Sequence, residues 1–340
     1  MKAIRLEKPF EFCEVEVPEP GSPGPGEALV RVHRVGVCGT DFSGYQGKMP
    51  FFSYPRIPGH ELGVEVLEVG TGVANVCPGD RCAVEPYMNC QSCYACERGH
   101  TNCCEHLQTL GVHCDGGLRS RFIVPARNLH GSQQLSFEQL ALVETLGIGC
   151  HAVNRAGVKS GEHVLVIGAG PIGLSVIEFA KIAGAHTIVM DLSERRLDFV
   201  RRAMGIRDTI LVRDDGQALA TVTELTNGQL AHAVIDATGS NRSMGEALQY
   251  VGFAGRLVLV GISMEPIRFT QPLMHRREMT FFASRNALPG DFRRIIGLIE
   301  QGQLDTRPWI THREAFGAMI DVFREWLKPE TGVIKAMVEI

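Results

Sequence analysis

The stretch Val164-Leu-Val-Ile-Gly168-Ala-Gly170-Pro-Ile-Gly173 decides the fold of half the chain. Four apolar residues read as a buried strand. They run into Gly-x-Gly-x-x-Gly, and residues 172–183 then carry helical periodicity. The glycines allow a tight turn, close approach of the backbone to a pyrophosphate, and close packing of helix on strand. The helix N-terminus attracts the phosphates. A second strand-like run, 187–190, ends beside Asp191, where a carboxylate can accept hydrogen bonds from an adenosine ribose. Its charge repels a 2′-phosphate, which favours NAD over NADP. Arg195 and Arg196 argue the other way, unless they only form a solvated helix face.

Working outward, residues 232–237 and 256–260 are further buried-strand candidates. Strands that alternate with helices imply parallel βαβ units, hence a doubly wound parallel sheet of the Rossmann type. Before Glu144 the texture differs. Short strands at 28–35, 63–69, 80–84 and 118–124 are separated by turn signals such as Pro23-Gly-Pro-Gly-Glu27 and Pro78-Gly-Asp80. This reads as a small irregular β-barrel. After Asn286, residues 291–300 and 313–327 have helical spacing, and 333–339 reads as a last strand.

The charge balance, 34 basic against 38 acidic residues for a net −4, excludes an electrostatic nucleic-acid binder. The first dozen residues lack the apolar stretch of a signal peptide, and no segment reaches about 18 uninterrupted apolar residues. A cytoplasmic enzyme with no membrane partner is the expectation. The 11 cysteines are an odd number, and in a reducing compartment their clustering favours metal over disulfides. Cys13, Cys77, Cys82 and Cys150 read as small buried hydrophobes.

Cys90, Cys93, Cys96 and Cys104 form Cys-x2-Cys-x2-Cys-x7-Cys. One loop can wrap four such thiolates around a Zn²⁺. Four protein ligands leave no open position, so the site is structural. An iron–sulfur cluster is the alternative, and Cys103 is an alternative fourth ligand. Two more fragments, Gly36-Val-Cys38-Gly-Thr40-Asp41 and Pro58-Gly-His60-Glu61, offer a thiolate, an imidazole and a carboxylate. Three protein ligands would leave a coordination place for water or substrate.

With these motifs, Val143-Glu144 and the glycine fingerprint, the sequence resembles the zinc-containing medium-chain dehydrogenases from end to end. Leu110-Gly-Val-His113 and Ser284-Arg285-Asn286-Ala287 resemble the sorbitol and L-galactonate dehydrogenase branch. The resemblance implies a Rossmann domain (146–285) inserted in a GroES-like catalytic domain (1–145 and 286–340), with the active site in the interdomain cleft. It implies a catalytic zinc at Cys38, His60, Glu61 and Glu144, the last standing where typical alcohol dehydrogenases have Cys. Asp41 would orient the ligating histidine and Thr40 would take the alcohol proton. For the cofactor it implies Gly168, Gly170, Ile172, Gly173, Asp191, Arg196, Val260, Gly261, Ile262, Ser284 and Arg285. Residues 279–284 resemble the family's dimer strand, which implies a homodimer or homotetramer.

Two positions depart from the family pattern. Ser43 stands where many relatives have a histidine that assists proton release, and Val64 stands where many have glycine. The expected activity is NAD-linked oxidation of a secondary alcohol on a polyol or sugar acid. Threonine-type amino-alcohols, and a non-enzymatic NAD-binding role, are the alternatives. A zinc-free enoyl or quinone reductase would lack both cysteine-containing sites.

Overall fold

An eleven-residue strand, Glu27–Val37, organises the β-rich part of the molecule. Ala28, Val30 and Val32 are buried while Arg31 is exposed, the alternation of a strand with one face inward. It pairs antiparallel with Glu61–Val69, Arg121–Pro125 and Lys335–Glu339. The sheet continues through Arg81–Val84 to Leu129–Gly131 on one side and to Ile310–Ala315 on the other. Leu62, Val64, Val66, Phe122, Val124 and Val338 complete the core on this sheet. The register sets Gly36 opposite Glu61 and Val37 opposite Ala336, so three strand ends gather Cys38, Glu61 and Lys335.

The computed structural model describes residues 1–213 and 216–340. Two units separate: Met1–Glu144 with Ala287–Ile340, and Thr145–Asn286. In the second unit six strands form one parallel sheet: β1 (His163–Ile167), β2 (His186–Asp191), β3 (Thr209–Leu211), β4 (Ala231–Asp236), β5 (Val251–Leu259) and β6 (Thr280–Ala283). Their spatial order is β3-β2-β1-β4-β5-β6. This is the doubly wound order, with its switch point beside β1. Residues 164–167 are all buried, as a central parallel strand covered on both faces requires.

The structure corrects some local expectations. Residues 313–327 are not one helix. Ile310–Ala315 is a strand paired in parallel with Lys335–Glu339, and the helix is Met319–Trp326. Long-range pairing overrides the helical spacing there. The strand expected from 118 begins at Arg121, because the Leu118 amide and carbonyl bond to Pro58 and Ile4 instead. Of the four cysteines read as core, Cys82 and Cys150 are buried, Cys13 is only half-buried and Cys77 is exposed. Cys77 lies in the turn before Arg81–Val84, where its amide bonds to Asp80 and its side chain has no core to enter.

Helix α1 (Pro171–Ile182) starts from Gly170 with proline at its first position, where a missing N–H costs nothing. Gly168 has φ of +96°, and a Cβ at Gly173 would overlap the Gly168 carbonyl oxygen. No backbone atom can yield there without moving the turn. Gly173→Ala is expected to destabilise this unit by about 1–3 kcal/mol, as overpacking does, and to weaken binding of the expected dinucleotide at the distorted turn. Thermal unfolding and NADH fluorescence titration measure both, and unchanged cofactor affinity would contradict this account of the turn.

Candidate metal centres and dinucleotide site

The Cys lobe is a loop closed at its base by a two-stranded ribbon, Tyr87–Met88 with Gln108–Thr109. The Sγ atoms of Cys90, Cys93, Cys96 and Cys104 all lie within 4.8 Å of one another. Cys104 Sγ is 3.5 Å from Cys90 Sγ and 3.9 Å from Cys93 Sγ, and none of the four is in a disulfide. Cys103 is exposed and outside the cluster, so the spacing that ends at Cys104 is the one the fold uses. Backbone amides of Cys90, Glu105 and His106 donate to these sulfurs. Donation from the backbone at Ser92 pulls the Cys90 thiol down to about 6. Burial, then the thiols of Cys93 and Cys104, push Cys96 up to about 12. Four crowded sulfurs with amide support fit a tetrahedral Zn²⁺, which removes that mutual repulsion.

The second cluster is Cys38, His60 and Glu61, whose ligand atoms also lie within 4.8 Å of one another. Cys38 caps the short helix Gly39–Tyr45, whose first turn carries Thr40 and Asp41. Asp41 Oδ2 accepts from the Cys38 amide at 2.9 Å, and its Oδ1 faces His60 Nδ1 at 3.8 Å. Both facing atoms are buried and make no hydrogen bond. Burial alone would lower the His60 pKa. Asp41 and Cys38 overcome that and hold it well above the usual histidine range. Ser43 is half-buried on the same helix, and Val64 is buried in the core of the sheet.

Sequence reasoning missed Lys335. It is 1% exposed, and its Nζ bonds both Glu61 oxygens, at 2.6 and 2.8 Å, and the Val37 carbonyl at 3.3 Å. Lys335 and Glu61 are 274 residues apart, so no local spacing reveals the pair. The one available signal is a lysine at the start of the last strand, within the mostly apolar run 333–338. Gly36 matters equally: a Cβ there would collide with Glu61 Oε2.

Glu144, in the first turn of the helix Val143–Ala156, lies outside the three-residue cluster. Tyr87, a second residue missed, donates its hydroxyl to Glu144 Oε1 at 2.5 Å. Burial raises the Glu144 pKa, Glu61 raises it further, and His60, Tyr87 and Lys335 oppose the rise. A half-buried thiolate beside a buried imidazole and carboxylate, with one fixed ammonium, fits a bound Zn²⁺.

In the other unit the expected cofactor residues gather at the carboxyl ends of the parallel strands, where ligands of such sheets bind. Gly168, Gly170, Ile172 and Gly173 follow β1, Asp191 ends β2, and Val260, Gly261 and Ile262 follow β5. Ser284 and Arg285 follow β6, and Ser284 Oγ is buried without a partner. Asp191 Oδ2 accepts from the Ala169 amide at 2.6 Å and Oδ1 from the Ser193 amide at 2.7 Å. Arg196 is half-exposed, with Nη1 3.9 Å from Asp191 Oδ2.

Residues 24–134 match the alcohol dehydrogenase GroES-like domain, and residues 171–301 match the zinc-binding dehydrogenase domain. L-galactonate-5-dehydrogenase of Escherichia coli K12 is 37% identical over 342 residues, covering 99% of this chain and 98% of that one. The chain belongs to the zinc-type medium-chain dehydrogenases, in their galactonate- and polyol-related branch. The 2-dehydro-3-deoxy-L-galactonate 5-dehydrogenase of Pseudoalteromonas atlantica is 33% identical over 85% of each chain. The solved structure of the alcohol dehydrogenase RspB from Escherichia coli CFT073, complexed with NADH, superposes with a TM-score of 0.91. It is 30% identical and covers 100% of this chain and 99% of that one. As a zinc-type medium-chain dehydrogenase the protein is an alcohol dehydrogenase, with zinc and a nicotinamide dinucleotide as cofactors. Among the described residues no helix is long and apolar enough to cross a membrane.

The two thiol sites should respond differently to substitution. Cys93→Ser is expected to yield poorly soluble protein of reduced thermal stability, because the lobe's folding depends on its fourth thiolate. Cys38→Ser is expected to give folded, NADH-binding protein with no turnover. Elemental analysis after reconstitution should read two zincs per wild-type chain. A stoichiometry of one, or a soluble and fully active Cys93→Ser, would contradict the division of roles.

Proposed function

We propose that the protein oxidises a secondary alcohol on a sugar acid or polyol to the ketone, with NAD as hydride acceptor. The relative at 37% identity over 99% of the chain carries the substrate class. Cys38 and His60 hold the catalytic zinc with Glu144 or Glu61. Lys335 engages both Glu61 oxygens, so Glu61 would meet the metal through water, or directly only by sharing an oxygen with that ammonium. When bound, zinc supplies Lewis acidity toward the substrate hydroxyl and NAD supplies the hydride acceptor.

The chain's own groups do the rest. Asp41 faces His60 Nδ1 and holds the Cys38 amide, so it orients two ligands at once. Thr40, in the first turn after Cys38, accepts the substrate's hydroxyl proton. Ser43 offers a hydroxyl rather than an imidazole for the next transfer. A carboxylate at position 144 makes the metal's surroundings harder than a third thiolate would, which suits a polyhydroxylated substrate. Arg285 offers a guanidinium suited to bidentate pairing with an aldonate carboxylate.

The Rossmann residues named above bind NAD, and Asp191 sets the preference for it over NADP. Its carboxylate meets the ribose hydroxyls while the amides of Ala169 and Ser193 hold it in place. The chain works in the cytoplasm as a homodimer or homotetramer. The six-stranded sheet ends on β6, whose outer edge no described strand covers, and a second copy would satisfy it.

Steady-state kinetics test this reading. An aldonate such as L-galactonate should outperform the uncharged polyol of equal length, and L-threonine. Arg285→Ala should erase most of the aldonate's advantage, and equal loss on both substrates would assign that arginine to structure. Asp191→Ala should raise KM for NAD about tenfold or more, the scale of one lost hydrogen bond to a charged group, and narrow the gap to NADP. Highest activity on ethanol, or equal use of NADP by the wild type, would overturn the respective part. Light scattering that reads a monomer would overturn the assembly.

A further inference from the structure

We propose that Tyr87 is a positioning residue for the catalytic metal. Its hydroxyl fixes the Glu144 carboxylate by one oxygen and so presents the other to zinc. The inference rests on the reading of Glu144 as a zinc ligand.

The observations converge on one hydrogen bond. Tyr87 is 2% and Glu144 5% exposed, and the phenol donates to Glu144 Oε1 at 2.5 Å. A hydrogen bond to an ionised acceptor is short and directional, and it fixes orientation as well as adding energy. Glu144 alone has three rotatable bonds on the first turn of its helix. Without the phenol it could turn among several orientations in a buried space that also contains Glu61.

Tyr87 itself is held firmly. Its carbonyl accepts from Asn89 Nδ2 at 3.2 Å and from Asn128 Nδ2 at 3.4 Å. Its ring meets Phe292 edge-on at 6.3 Å. Its strand pairs with Gln108–Thr109, the ribbon that closes the structural lobe. The ribbon at the base of the lobe thereby anchors a donor that reaches Glu144. A buried phenol needs some acceptor. Here the acceptor is the carboxylate beside Cys38, His60 and Glu61 rather than a backbone carbonyl.

Loss of a partner that orients a metal ligand typically weakens metal binding about 10–100-fold. Tyr87→Phe keeps the ring and its contact with Phe292 and removes only the oxygen. Zinc affinity is read by competition with a chelating dye, with the four-cysteine zinc as internal reference. The visible spectrum of enzyme carrying Co²⁺ in the catalytic site reports ligand geometry. The expected result is a 10–100-fold loss at the catalytic site only, with an altered cobalt spectrum. In a Glu144→Ala background, Tyr87→Phe should change nothing further.

If Glu144→Ala weakens the metal but Tyr87→Phe leaves affinity and spectrum unchanged, the inference fails and the reading of Glu144 stands. If Glu144→Ala itself leaves both unchanged, the reading of Glu144 fails first. Loss of both zincs together in Tyr87→Phe, or a further loss from Tyr87→Phe in the Glu144→Ala background, assigns Tyr87 to packing and overturns the inference.

Discussion

Negative charge buried in the β-rich unit is the constraint on which the rest of this structure depends. Asp41, Glu61, Glu85 and Glu144 are each 5% exposed or less. A buried carboxylate is tolerated only with a counter-charge or hydrogen-bond donors. Each has found one by a different route. Glu61 has Lys335, Glu85 has His130 Nε2 at 2.9 Å, Glu144 has the Tyr87 hydroxyl, and Asp41 has the Cys38 amide and faces His60. Burial still pushes the Asp41 and Glu144 carboxyls up, with Glu61 adding to both. A divalent cation held beside Cys38, His60 and Glu61 would relieve what the protein's own groups leave uncompensated there.

The two units solve different problems by different means. In the six-stranded sheet the expected cofactor is long and carries an anionic pyrophosphate, and one short stretch of chain offers it a glycine turn and a helix N-terminus, with the Asp191 carboxylate on the next strand. In the β-rich unit the expected ligands are compact cations, and at the Cys38 cluster side chains from distant segments converge. The lobe is the exception, because its four sulfurs come from fifteen consecutive residues and amides of the same loop support them.

That difference explains what could be read from the chain alone. The glycine fingerprint, Asp191 and the Cys lobe were legible because their chemistry lies in short local spacings. Cys38, His60 and Glu61 were legible as fragments, but only the strand pairing of Gly36 with Glu61 brings them together. Lys335 and Tyr87 were not legible, since a lysine in a last strand and a tyrosine before a cysteine loop carry no local signal of their partners. The segment 313–327 misled for the same reason. Its spacing suits a helix, yet the exposed edge of Lys335–Glu339 takes Ile310–Ala315 as a strand.

The bare backbone at Gly36 has a consequence beyond the room it leaves for Glu61. Side chains of paired strands alternate between faces, so a slip of one residue between Glu27–Val37 and Glu61–Val69 would set Glu61 opposite Val35 or Val37. The carboxylate would then meet a branched side chain instead of a gap and lose the ammonium of Lys335. Its desolvation would go unanswered. Mispaired registers of this sheet are therefore disfavoured by the same carboxylate and ammonium that stand beside Cys38 and His60. The buried carboxylate and its ammonium thus reinforce the register that the hydrophobic pattern also requires, since a slip of one residue would turn the apolar face outward as well.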